Sequence, residues 1–141
     1  MIYEQDGGLL PDLQRIGCYA ECIAVYDPAV TAREMDIAWR AGKMLRFVAA
    51  DGTLVSAQGL VDIFGYPLKY RVGHLPATTP LIPARMWIIG EWYNPATKFT
   101  HFVVMDGLGT DRLNVKYDPI KDGSRTVREG SFVSYRLFDM V

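Results

Sequence analysis

The sequence predicts an α+β domain, with helices first and then a twisted, mainly antiparallel sheet of about five strands. Three observations predict it. Helix caps and helical periodicity are confined to the residues before Pro67. After Pro67 come five runs rich in Val, Ile, Phe, Tyr and Trp, separated by turn residues. Strand and helix patterns do not alternate along the chain, which argues against a parallel βαβ sheet.

The elements follow in order. LLPDLQRI at 9–16 carries an early proline, as an N-terminal helical turn or loop does, and Gly17 breaks the pattern. CYAECIAVY at 18–26 reads as a helix with Cys18, Cys22 and Val25 along one side. DPAV at 27–30 is a turn. Thr31-Ala-Arg-Glu34 is a capping box, and the helix it opens, 32–44, is expected to bury Met35, Ala38, Trp39 and Met44. Asp51-Gly52 is a turn signal. Ser56 caps a second helix, SAQGLVDIFGY, with Gly65 as its stop. The strands are KYRVGHL, ARMWIIGEWY, FTHFVVMDG, LNVKYDP and SFVSYRLF. PATTPLIP, NPATK, DGLGTDR and KDGSR divide them, and Arg125 and Arg128 read as a solvated or salt-bridged strand face. No internal repeat or linker interrupts the chain, so 1–141 reads as one domain.

Composition narrows the function. Half of the 141 residues are hydrophobic, enough for a real core. A net charge of −1 lacks the basic excess of a phosphate-driven nucleic-acid binder. No apolar run approaches the ~18 residues of a membrane span, and MIYEQDGG lacks the basic and apolar regions of a signal peptide. The expectation is a cytoplasmic protein, or one delivered from a cytoplasm by other means, that binds neither nucleic acid nor membrane. With only Cys18 and Cys22, no disulfide framework is expected. Neither a Walker-type loop nor GxGxxG occurs, so no nucleotide cofactor is expected.

The polar residues that carry chemistry are few. His101 opens an apolar strand in FTHFVVMDG, and Asp118-Pro119 closes the next, seventeen residues later. If those strands pair through DGLGTDR, the start of one lies beside the end of the other, and Asp118 reaches the imidazole. That is the orienter and base half of a catalytic triad. Cys18 follows Gly17 at a helix start. A thiol at such a place, beside an imidazolium, has its thiolate favoured over the ordinary pKa of about 8.5. The same turn offers backbone N–H groups to an oxyanion. Gln14 is a side-chain candidate for that role, and Gln5 another. Cys22, inside CIAV, reads as core. Asp106 reads as a turn residue.

These residues resemble a known family. Gly-Cys opening a helix, His followed by aliphatics opening a strand (HFVVMDG), and a strand closing on Asp-Pro (YDP) resemble papain-fold cysteine peptidases, most of all the small C39-like, bacteriocin-processing branch. YDPIKDGSRTVREGSFVSYRLF, with GCY and HFVV before it, is similar to a phage- and prophage-associated family of uncharacterised proteins. The resemblance implies a papain-like fold with Cys18 as nucleophile, His101 as base and Asp118 as orienter. It also implies a hydrolase acting on a peptide, isopeptide or peptidoglycan-like amide. Papain-like enzymes place an oxyanion glutamine about six residues before the cysteine; Asp12 holds that position here, and Gln14 is shifted by two.

Two other readings compete. One is a catalytically degenerate binding module on the same fold, with Trp87, Trp92, Tyr93 and Tyr117 as an aromatic surface for a host protein or glycan. The other is a zinc site from Cys18, Cys22, His74 and His101, although the two histidines are 27 residues apart rather than three to five.

Overall fold

Among the described residues of the first half there are three helices, two of which form where their caps place them. The computed structural model describes residues 1–3, 17–76 and 85–141. Helix α1 spans Cys18–Ala24, and its N-cap Gly17 makes no side-chain cap. Helix α2 spans Ala32–Met44 under the full Thr31/Glu34 capping box. Helix α3 spans Ala57–Phe64; the Ser56 hydroxyl accepts from the Gly59 N–H, and Gly65 closes the helix at φ +72°. Met35, Ala38 and Trp39 are buried as expected. Met44 is not: it is 84% exposed. At the last turn its side chain points off the buried stripe, while Gly42 takes the inward position against Val48.

The strands are β1 (Leu68–Leu75), β2 (Met86–Asn94), β3 (Phe99–Met105), β4 (Val115–Tyr117) and β5 (Ser131–Met140). They form one antiparallel sheet in the order β1-β5-β2-β3-β4. The fold is thus α+β. Two expectations are corrected. LNVKYDP is mostly not strand: Asp111 caps a 3-10 turn at Arg112–Asn114, and only three residues remain for β4. GSRTVREG is not a strand face. Ser124 accepts from the Val127 N–H and starts a short helix, α4 (Arg125–Glu129), in which Arg125 pairs with Glu129 one turn on. The segments 9–16 and PATTPLIP fall in or across ranges outside the described residues, and so do Gln5, Asp12 and Gln14.

Side chains alternate across the sheet and build two cores. Trp87, Ile89, Val104 and Phe138 face α1–α3 with Cys22, Ile23, Met35, Trp39 and Leu60. Ile88, Trp92, Val103, Met105, Tyr135 and Leu137 form a smaller cluster with Val127 of α4. Cys22 is fully buried, as expected of a core sulfur; its Sγ contacts the Phe102 carbonyl at 3.4 Å. The Trp87 indole N–H donates to the Cys22 carbonyl at 2.9 Å, tying α1 to β2. No helix of the described residues is long and apolar enough to cross a membrane.

One packing contact gives a test. A Cβ placed on Gly59 would overlap the Phe47 ring. Alanine gains about 1 kcal/mol of helix propensity over glycine, but overpacking costs about 1–3 kcal/mol. Gly59→Ala is therefore expected to lower stability by up to about 2 kcal/mol, read as a lower urea midpoint at unchanged slope. An equal or higher midpoint would mean that Phe47 moves aside freely.

Candidate functional site

The end of β4 and the loop after it hold Asp118. Pro119 has no N–H and ends the ladder. The Asp118 Oδ1 accepts from the Ile120 N–H and Oδ2 from the Ser124 N–H, both at 2.9 Å. Ser124 is in turn fixed by capping α4. The carboxylate therefore sits in a loop that folds around it. Its third partner is His101 Nε2, at 2.7 Å from Oδ1.

His101 is the third residue of β3 and is buried, as is Trp92, opposite it on β2. With Nε2 held by Asp118, Nδ1 is the ring nitrogen left for Cys18. Helix α1 packs on β3 through Tyr19, whose ring stacks on Phe102 with centroids 4.8 Å apart. This brings the start of α1 to His101, with Cys18 near enough to favour the protonated imidazole. The structure thus brings together Cys18, His101 and Asp118.

The electrostatics favour a charged imidazole. Burial works against the charge, but the hydrogen bonds and charges of Asp118 and Cys18 outweigh it, and the His101 pKa is pushed up to about 10. Burial likewise works against the Asp118 carboxylate, but His101 and the two backbone N–H donors hold its pKa below the ordinary carboxylate value. The sign for stability follows. The protonated imidazole stabilises the fold fully below its unfolded pKa of about 6.5, and that contribution fades as pH rises toward about 10. The Asp118 contribution is present above the unfolded carboxylate value and is lost as pH falls through the depressed one.

Cys18 opens on a cavity of about 640 Å³. Its walls include Tyr19, the 51–58 segment, Tyr70, Phe102 and Arg136. Cys18 is the member of the trio that lines it; His101 and Asp118 do not. A molecule in the cavity meets the sulfur, with the imidazole and carboxylate shielded from solvent beside it. His74 also lines the cavity, at a β1 bulge with φ +60°.

The other sequence readings fare differently. Among the described residues no group of three or more His, Cys, Asp or Glu side chains is placed to hold a metal ion. Cys22 is turned into the core, which separates it from His74 at the cavity. The aromatic surface expected from Trp87, Trp92, Tyr93 and Tyr117 does not exist as such. Trp87, Trp92 and Tyr117 are buried and only Tyr93 is exposed, because the first three point into the two cores. Asp106 stays in the β3–β4 turn, its N–H bonded to the Asn114 carbonyl. The reading of the sequence missed Arg136, Tyr70 and Tyr19. One signal was present: in SFVSYRLF, Ser134 and Arg136 fall on the same alternating face as core Phe138, so a charge points inward.

Comparison of the chain with protein-family models, with curated proteins and with solved structures finds no match.

Proposed function

We propose that the protein is a cysteine-dependent amide hydrolase or acyl-transfer enzyme with a papain-like arrangement of Cys18, His101 and Asp118. The observation that supports this is the placement of His101 and Asp118 behind Cys18, which itself lines a cavity large enough for a substrate residue or two. In the reaction, the Cys18 thiolate attacks the carbonyl carbon of an amide. The His101 imidazolium protonates the leaving amine, and a thioester to Cys18 remains. The now neutral imidazole takes a proton from water, whose oxygen displaces the sulfur and releases the acid. Asp118 fixes the ring and stabilises its charged form. Peptide, isopeptide and peptidoglycan-like amides all present the carbonyl this chemistry needs.

The experiment is a titration of both histidines by NMR of their ring C–H groups, combined with alkylation of Cys18 by iodoacetamide. His101 is expected to keep its proton through neutrality and to titrate near 10, with Asp118→Ala moving the His101 inflection downward. At pH 7, His101→Ala should slow alkylation of Cys18 at least about tenfold, because the thiolate loses its cationic partner. A His101 inflection near its ordinary value, with alkylation indifferent to His101, would leave the sulfur structural and overturn the proposal.

A further inference from the structure

We propose that the cavity beside Cys18 contains a carboxylate-binding site formed by Arg136, Tyr70 and Tyr19, so that the substrate carries an acidic group. This rests on the reading of the cavity as the substrate site.

Arg136 lies on β5, between β1 and β2, and is 5% exposed. It is held from several sides. Its Nη2 donates to Glu91 Oε1 at 2.9 Å, and its Nη1 donates to Ser134 Oγ at 2.6 Å. Ser134 Oγ donates in turn to Glu91 Oε1 at 2.9 Å, closing a triangle. The Phe102 ring lies 5.1 Å from the guanidinium carbon. A buried ion pair of this kind is a weak source of stability, since apolar residues of the same volume serve as well or better. Its effect here is positional: a guanidinium has five N–H donors, the triangle uses two, and Arg136 forms part of the cavity wall.

Two phenols share that wall. The Tyr70 and Tyr19 hydroxyls make no hydrogen bond to any described residue, and both side chains line the cavity. Burial raises the Tyr19 phenol pKa, and Tyr70 and Arg136 both lie near enough to act on its ionisation. Gly73 makes the approach of Tyr70 and Arg136 possible: a Cβ there would overlap the Tyr70 hydroxyl and come within 2.9 Å of Arg136 Cδ. Glu91 Oε1, the carboxylate oxygen that Arg136 meets, already takes two donors. A cluster of a guanidinium and two hydroxyls calls for an acceptor-rich ligand. A planar carboxylate matches the guanidinium fork, and the Tyr19–Phe102 stack gives its aliphatic stem an apolar surface.

The test uses the Cys18→Ala protein, in which no turnover occurs, so binding is read apart from the chemistry at sulfur. N-acetyl-glutamate amide and N-acetyl-glutamine amide are titrated in parallel by NMR. The acid is expected to bind at least about tenfold more tightly than its isostere. Arg136→Ala would strand Glu91, so the test variants are Tyr70→Phe and the double exchange Arg136→Met with Glu91→Leu, which replaces the pair by apolar volume. Each should cut the preference, the double exchange to below about twofold. Equal affinity for the two probes, no binding of either, or a preference that survives the double exchange would overturn the site. If the acid is preferred in Cys18→Ala but the His101 titration fails, the carboxylate site stands and the hydrolase reading falls.

Discussion

Cys18→Ala is expected to abolish the burst of nitrophenolate that the proposed reaction would produce from p-nitrophenyl acetate in the wild-type protein. In the proposed reaction the first turnover places one acetyl group on the sulfur, visible as an added acetyl mass, before water clears it. Without the sulfur no acyl-enzyme forms, and steady-state turnover should fall by a factor on the order of 10⁴ or more, as when a hydrolase loses its nucleophile. The fold should be untouched. Cys18 is the first residue of α1, where alanine is a good helix former, and it is only half-buried. A burst of equal size in Cys18→Ala, or an acetyl mass on another residue, would place the chemistry elsewhere. A wild type with no burst and no acetyl mass would count against any acyl-enzyme.

The largest stability effect is expected at Phe138. Its side chain is 0% exposed on β5, it is the register partner of both Tyr70 and Trp87, and it meets the Tyr70 ring edge-on at 5.3 Å. Phe138→Ala removes most of a ring from a position closed on both flanks by neighbouring strands, so collapse around the void is limited. The cost is about 3–5 kcal/mol, a large part of the roughly 5–15 kcal/mol that holds a domain folded. Urea unfolding should show a much lower midpoint at similar slope. Val133→Ala, on the same strand but 43% exposed, serves as the contrast and should change stability by no more than about 0.5 kcal/mol. A loss at Phe138 under 1 kcal/mol would mean that this core repacks freely.

The two effects concern one stretch of chain. Phe138 and Arg136 stand on the same face of β5, two residues apart, one closing the apolar core and the other entering the cavity wall. Tyr70 touches both places, with its ring on Phe138 and its hydroxyl over Gly73. Tyr70→Phe keeps the ring contact and removes only the hydroxyl, which is why it separates packing from binding.

What the sequence by itself determined is local. Thr31 with Glu34, and Ser56 with Gly65, set the limits of α2 and α3, because caps act within a turn of the helix they close. The alternation of apolar residues located β1, β2, β3 and β5, since strand faces repeat every two residues. The meeting of His101 and Asp118 was also legible, because a single hairpin-like return joins β3 to β4. Ser124 was the local signal left unused, and α4 formed behind it. The tertiary structure alone decided the rest. It set β5 between β1 and β2, a pairing across some sixty residues of chain for β1 that no turn encodes. It carried the start of α1 to His101, because the Tyr19–Phe102 stack and the buried Cys22 fix that helix on β3. It also gathered Tyr19, Tyr70 and Arg136, from one helix and two strands, around a single cavity. Contacts between segments so far apart depend on how whole faces pack, and face packing is settled by the complete core rather than by neighbours in sequence.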